Sequence, residues 1–546
     1  MGAVRTKVAD AGTSLRVLAG AGIVRPYSPR VLAGMLGTLR SWGTSPAGGF
    51  RTAALRWPDE VGVVDERGEL TWGQLHRRTN ALAASLRQEG VRAGDGVAVM
   101  CRNHRGFIEA SVAASKLGAD VLYLNTAFAG PQLVDVLERE APRIVVHDEE
   151  FTEMLAAADV EHRVLAWVDD EPAGTAGDTA GRSDGVRTLE ELIARGDEAE
   201  LEPPEREGRT IILTSGTTGT PKGAPRPQGG VPAAVSLLSR MPLRSRWRCF
   251  VAAPLFHTWG FAHYQLAMLL GTTLVLRRRF DPEEALVVLA EERCDSFVVI
   301  PVMLQRILAL PSSVLDAHRL PRLTVVASSG SALPGDLALT WMDRFGDNLY
   351  STYGSTEVAW ASIADPQDLR EAPSSAGRLP HATVVKILDE TGAEVPPGEP
   401  GRIFVGNDLQ IEGYTGGGAK EVVDGLMSSG DVGRFGPDGR LYVEGRDDEM
   451  IVSGGENVFP KEVEDCLARH EAVAEVAAIG VEDDDFGKRL RAFVVLVDGA
   501  DADEESLKGW VKQNLARYKV PREIVLLDEL PRNATGKVLK RELDAD

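Results

Sequence analysis

Between residues 50 and 330, short apolar runs alternate with amphipathic stretches of helical period. The runs GVAVM (96–100), VLYLN (121–125), RIVVH (143–147), TIIL (210–213), SFVVI (296–300) and LTVVA (323–327) are mostly apolar throughout. That is the pattern of strands covered on both faces. Thr71 and Gln74 stand three apart, ahead of a segment in which Trp72, Leu75, Leu82 and Leu86 share one helical face. This spacing predicts a helix opened by a capping box. Strand–helix alternation predicts layered α/β architecture with largely parallel sheets.

The pattern changes after about residue 380. VVKIL, RIFVG and RLYVEG read as short alternating strands with turn signals such as Pro437-Asp438-Gly439. From about Asp448 a compact α+β pattern follows: a helix over 460–470, strands near 474–481 and 490–497, and a helix over 503–516. The expected fold is α/β: a large N-terminal domain of layered parallel-rich sheets and helices with a smaller β subdomain (1–447), plus a small α+β C-terminal domain (448–546). Residues 170–187, rich in Gly, Ala and Asp, read as a surface loop.

The chain has 546 residues, of which 43% are hydrophobic and 26% charged, so wholesale disorder is excluded. Sixty Lys and Arg against 81 Asp and Glu give a net charge of -21, which disfavours nonspecific nucleic-acid binding. Cys101, Cys249, Cys294 and Cys466 show no metal or CxxC spacing. They read as buried thiols of a cytoplasmic protein. No apolar run reaches the ~18 residues of a membrane span. Residues 14–42 mix Leu, Val and Ile with Arg16, Arg25, Arg30 and Arg40. They suit either peripheral membrane contact or docking on the main body, and the interrupting Gly and Pro favour docking.

The strongest chemical signal is Thr214-Ser215-Gly216-Thr217-Thr218-Gly219-Thr220-Pro221-Lys222-Gly223, directly after the run TIIL. Glycines let backbone N–H groups approach an anion, hydroxyls add donors, and Lys222 adds charge. Pro221 occupies the position where a Walker A loop requires Gly, so a P-loop kinase or GTPase is disfavoured. This loop resembles [ST]SG[ST]TGxPKG of the acyl-adenylate-forming enzymes, which include acyl-CoA synthetases, firefly luciferases and the adenylation domains of peptide synthetases.

Further segments match in family order. Pro254-Leu255-Phe256-His257 resembles the stretch lining the acyl pocket, which implies an acyl-site role for His257, Phe256, Trp259 and Phe261. Ser329-Gly330-Ser331-Ala332 is similar to the segment bordering adenine. Tyr353-Gly354-Ser355-Thr356-Glu357 matches YGxTE. The resemblance implies that Tyr353 stacks on adenine, that Thr356 reaches the α-phosphate, and that Glu357, with Thr217, holds Mg²⁺. Asp431 would accept from the ribose hydroxyls and Arg446 would add a second ribose contact. Asp448 matches the hinge of a mobile C-terminal domain. Ser453-Gly454-Gly455 resembles the loop lining the pantetheine tunnel. Lys537, in Pro531-Arg532-Asn533-Ala534-Thr535-Gly536-Lys537, would be the lysine that swings in for adenylation.

The resemblance covers nearly the whole chain. It implies a two-step ligation with ATP, Mg²⁺ and coenzyme A: acyl-AMP forms first, then a thioester. Apolar residues around 255–262 and 358–360 suit a medium- or long-chain fatty acid, with an aryl acid as the alternative. The overall pattern is similar to bacterial fatty-acid–CoA ligases. A ligase loading a carrier protein, a silent nucleotide-binding regulator and an ADP-releasing phosphotransferase are the competing readings. One departure stands out: after Gly223, where many relatives run toward a histidine, this chain reads Ala224-Pro225-Arg226-Pro227-Gln228. The clusters Arg244/Arg246/Arg248 and Arg277-Arg278-Arg279 suit the phosphates of coenzyme A, a solvated face or a lipid-surface contact.

Overall fold

The computed structural model describes residues 2–128, 130–169, 186–214, 222–226, 229–411, 413–415, 417–447, 451–453, 456–483, 487–515, 519–533 and 536–543. Two large sheets organise the first part. One has eight strands, in the order 359–364, 349–355, 325–328, 296–299, 248–251, 273–275, 61–65 and 68–71. Its pairings are parallel except at the two ends. The other has seven strands, in the order 187–188, 162–167, 144–148, 96–100, 120–123, 210–214 and 222–226, with only the last pair antiparallel. Each expected apolar run overlaps one of these strands, with ends such as Asn125, Arg143, Ile300 and Leu323 outside, and Val97 to Met100 are fully buried.

Between the two sheets lies the helix Arg105–Lys116, every residue of which is buried. It contacts Val61–Asp65 of one sheet and Gly96–Met100 and Asp120–Tyr123 of the other. A charge in such a place requires a partner. The guanidinium of Arg105 meets Asp65 at 2.5 Å, Arg78 meets Glu109 at 2.5 Å, and Lys116 donates to Asn80 at 2.6 Å and Thr79 at 2.8 Å. The helix Trp72–Gln88 opens with the expected capping box: Gln74 N donates to Thr71 Oγ1 at 3.1 Å, and Gln74 Oε1 accepts from Thr71 N at 2.8 Å.

The antiparallel strands Val384–Leu388, Gly401–Gly406, Leu426–Phe435 and Leu441–Arg446, with Val422–Val423, form the smaller β unit. After Arg446 a separate sheet follows, built on the long hairpin Val473–Asp483 and Gly487–Leu496. It is covered by the helices Pro460–Leu467 and Glu504–Asn514, and Val463, Leu507 and Val511 are fully buried in its own core. Residues 14–42 form two helical pieces, not one. Gly2–Gly20 ends before Pro26, and Pro29–Trp42 begins under a Ser28 cap. No described helix is long and apolar enough to cross a membrane.

Candidate active site

The two strands flanking the glycine-rich loop pair antiparallel, with Thr214 opposite Lys222. The loop therefore joins strand to strand, whereas a P-loop joins strand to helix. Ser215, Gly216, Thr217, Thr218 and Gly219 lie outside the described residues, as do Asp448, Gly454 and Gly455; of Ser453 only the backbone is described. Beyond the loop, Gly223 and Thr415 exchange bonds: Thr415 N donates to Gly223 O at 2.8 Å, and Gly223 N to Thr415 Oγ1 at 3.0 Å. Segment 413–415 is thereby fastened to the loop's exit.

The segment Tyr353–Glu357 is the hub. It lies where the strand Leu349–Ser355 turns back into Ala359–Ala364, with a bulge between Tyr353 and Gly354. The carbonyl of Ala359 approaches so closely that a Cβ on Gly354 would sit 1.8 Å from it, so only glycine fits there. Ser355 Oγ accepts from Glu357 N at 3.2 Å and Val358 N at 3.3 Å, which fixes the turn.

Each functional side chain of the hub meets another part of the chain. Tyr353 donates its hydroxyl to Asp431 Oδ2 at 2.5 Å and lies 3.2 Å from Ser429 Oγ. Arg446, opposite Asp431 in the strand register, donates to Asp431 Oδ1 at 3.3 Å. Burial raises the Asp431 carboxyl above the usual carboxylate range, against the opposing pull of Tyr353 and Arg446. Burial and the neighbouring Asp431 push the Tyr353 phenol well up, so it stays a donor. Glu357 Oε1 accepts from the Tyr414 hydroxyl at 2.7 Å, and Lys222 Nζ lies 5.5 Å from the centre of the Tyr414 ring.

Two neighbours grip Thr356. Thr258 Oγ1 lies 3.3 Å from Thr356 Oγ1, and Arg226 donates to the Thr356 carbonyl. Burial lowers the Arg226 guanidinium to about 10, and Glu357 counters that effect. His257 stands at the N-cap of the helix Thr258–Leu270. Its enclosed Nε2 has no hydrogen-bond partner among the described residues, and burial lowers the ring to about 4, so it is neutral at pH 7. Phe256 and Trp259 are buried beside it, and Trp259 Nε1 donates to Ala327 O at 3.3 Å. Phe261 points into an aromatic core, 5.1 Å from Tyr123 and 5.6 Å from Tyr264.

Ser329 Oγ donates to Thr352 O at 2.8 Å, which sets Gly330, Ser331 and Ala332 beside the hub. Gly330 packs over Ile300, and Ser331 and Ala332 are exposed. The loop carrying Lys537 reaches the same corner. Gly536 packs onto Val302 and Ile300, and Gln305 Nε2 donates to Ala474 O at 3.3 Å. Lys537 is exposed, and its backbone N donates to Asn533 Oδ1 at 2.9 Å.

Lys222, Tyr353, Thr356, Glu357, Asp431 and Arg446 thus come together, with the Lys537 loop at the rim. Sequence reasoning missed Tyr414 and Arg226 as site residues; only the unusual stretch 224–228 pointed toward Arg226. The arginine clusters behave differently from a phosphate-binding patch. Arg246 pairs with Glu60, Arg248 with Glu292, Arg277 with Glu284, Arg278 with Asp169, and Arg279 with Glu150. Paired with these carboxylates, all of them but the exposed Arg244 offer little charge to an anion.

Known proteins resemble this chain in sequence and in fold. A family model described as AMP-binding enzyme matches residues 50–415, and a second, described as AMP-binding enzyme C-terminal domain, matches residues 462–537. A feruloyl-CoA synthase from an Amycolatopsis species is 35% identical over 87% of this chain and 93% of its own length. A long-chain-fatty-acid–CoA ligase from Mycobacterium tuberculosis is 29% identical over 87% and 92% respectively. The crystal structure of an anthranilate CoA ligase with anthranoyl-AMP superposes with a TM-score of 0.82, covering 91% of this chain and 96% of that one at 24% identity, a likeness of fold. With both family models matched in order along one chain, the protein belongs to the AMP-binding enzyme family.

Proposed function

We propose that the chain is an ATP-dependent carboxylic acid–coenzyme A ligase. The acid's carboxylate attacks the α-phosphorus of ATP and pyrophosphate leaves. The thiol of coenzyme A then attacks the acyl carbon and AMP leaves. No protein nucleophile is needed, so the chain's work is positioning and charge neutralisation. The observation that carries this reading is the convergence of Lys222, Tyr353, Thr356, Glu357, Asp431 and Arg446 on one hub, beside a C-terminal loop bearing Lys537.

In this reading Tyr353 and the 330–332 segment hold adenine, while Asp431 and Arg446 hold the ribose. Thr356 and Lys222 meet phosphate. Glu357, a carboxylate held in place by Tyr414 beside the phosphate loop, fits Mg²⁺, with Thr217 on the loop; the ion would screen phosphate charge. Neutral His257 and the apolar Phe256 and Trp259 border the acyl group. We assign residues 448–546 to a unit that turns about Asp448 between the two half-reactions, bringing the 453–455 loop toward pantetheine. The four buried, unpaired thiols fit a reducing compartment.

The acid is apolar. The feruloyl-CoA synthase is nearer to this chain than the fatty-acid ligase, and Phe261 packs against the rings of Tyr123 and Tyr264. That nearness favours an aryl acid over the medium- or long-chain fatty acid suggested by the apolar stretch alone. Incubation with Mg·ATP, coenzyme A and a mixture of aryl and saturated fatty acids, read by mass spectrometry, tests both levels. Aryl-CoA products are expected. Fatty acyl-CoA alone would overturn the choice of acid, and AMP release without any thioester would overturn the acceptor.

A further inference from the structure

The helix Pro29–Trp42 carries only two charges, Arg30 and Arg40, and buries only Thr38 and Trp42. Its outward face shows Leu32 (44% exposed), Leu36 (67%) and Leu39 (55%), at a spacing that aligns them. Leu55, from the adjacent helix Pro46–Arg56, extends the patch: its Cδ1 lies 3.3 Å from the Cβ position of Gly34. Upstream, Leu15 and Val24 are also exposed. A helix that meets only water turns a polar face outward. The helix Trp72–Gln88 does so, exposing Gln74, Arg77, Arg87 and Gln88.

Charge separates the candidate occupants. Residues 11–46 hold Arg16, Arg25, Arg30 and Arg40 and no Asp or Glu, in a chain of net charge -21. All four are exposed, and among the described residues none pairs with a carboxylate. Among the described residues, Arg16 and Arg25 donate within their own helix and turn, at Gly12 O, Thr13 Oγ1 and Gly22 O. Other exposed arginines do pair, as Arg51 does with Glu200 and Arg246 with Glu60. Glu207 approaches only at Gly43, beyond the helix end.

We infer that this face docks on an anionic lipid bilayer. Leu32, Leu36 and Leu39 enter the boundary between headgroups and acyl chains, while the arginines meet lipid phosphates. A second copy fits less well. A two-fold contact would lay Arg30 and Arg40 against the same acid-free stretch of the partner. The net negative charge of the rest repels an anionic surface, so binding is oriented. The inference holds whichever acid is activated.

Flotation of the full chain with phosphatidylcholine vesicles, with and without phosphatidylglycerol, tests it. The protein should float only with the anionic vesicles, and salt should release it as screening grows. Leu36→Glu/Leu39→Glu and Arg30→Glu/Arg40→Glu should each lower bound protein by about tenfold or more, with unchanged thermal unfolding midpoints. Equal flotation of wild type and variants, or no flotation, would overturn the inference. So would a concentration-dependent dimer in light scattering that Leu36→Glu/Leu39→Glu abolishes, because a second copy would then cover the face.

Discussion

Gly536 lies at φ +75°, and a Cβ there would stand 2.5 Å from Val302 Cγ1 and 3.1 Å from Ile300 Cδ1. Gly536→Ala therefore has two separable costs. Holding alanine in the left-handed region costs about 1–2 kcal/mol, borne by the hairpin whether or not it is docked. The overlap with Val302 arises only when the loop sits on the Ile300–Val302 corner. It intrudes about 1 Å on ordinary carbon contact, and overpacking of this kind costs about 1–3 kcal/mol. That range corresponds to a docked population about 5- to 150-fold lower. If docking brings Lys537 to the site for adenylation, acid-dependent pyrophosphate exchange should slow by up to that factor. Thioester formation from supplied acyl-AMP and coenzyme A, followed by rapid quench, should change little. Val302→Ala in the Gly536→Ala background removes the contacted methyl and should restore much of the exchange rate. Equal loss in both half-reactions, or no rescue, would refute the argument.

Lys537→Ala should slow adenylation by about 10²–10³-fold and largely spare the second half-reaction; equal slowing would remove the lysine from its assigned role. Tyr353→Phe deletes a hydrogen bond to a buried carboxylate, worth about 1.5–3 kcal/mol. It should raise the Asp431 carboxyl further. A carboxyl raised on folding destabilises the folded state once pH exceeds its unfolded value, so the variant's deficit in thermal unfolding should be larger at about pH 8 than at about pH 3.5. A pH-independent deficit would contradict this. Burial lowers His263 to about 4, as it does His257. Because the unfolded rings take protons from about 6.5 downward, stability should be full above that pH and fall toward pH 4, by up to about 3 kcal/mol per ring. His263→Gln should flatten that slope, and a parallel profile would show that the ring is not its source.

What could be read from the sequence was local or ordered along the chain. The Thr71–Gln74 capping box depends on residues three apart. The buried strands depend on runs of four or five. The smaller β unit announced itself by alternation after about residue 380. The hub residues Tyr353, Thr356 and Glu357 were legible because a motif names them together. Tyr414 was not: it reaches Glu357 across 57 positions, through a segment that long-range bonds such as the Thr415–Gly223 exchange hold in place. Arg226 drew notice only as a departure, since its bond to the Thr356 carbonyl depends on how two different sheets approach each other. The arginine clusters stayed ambiguous for the converse reason. Their carboxylate partners, such as Glu60, Glu150 and Glu292, come from distant segments, and a local charge count cannot see them.

The bond between Tyr353 and Asp431 crosses a seam. Tyr353 belongs to the eight-stranded parallel-rich sheet, whereas Asp431 and Arg446 belong to the smaller antiparallel one. A nucleoside seated on all three would act as a rivet between the two bodies, beside the standing links from Asn407 to the Val358 and Trp360 carbonyls and from Arg440 to Asp368. Loading and unloading such a rivet each cycle would make the stiffness of the seam follow the progress of the reaction. The smaller sheet would then grip its neighbour hardest while AMP is held and relax as AMP departs.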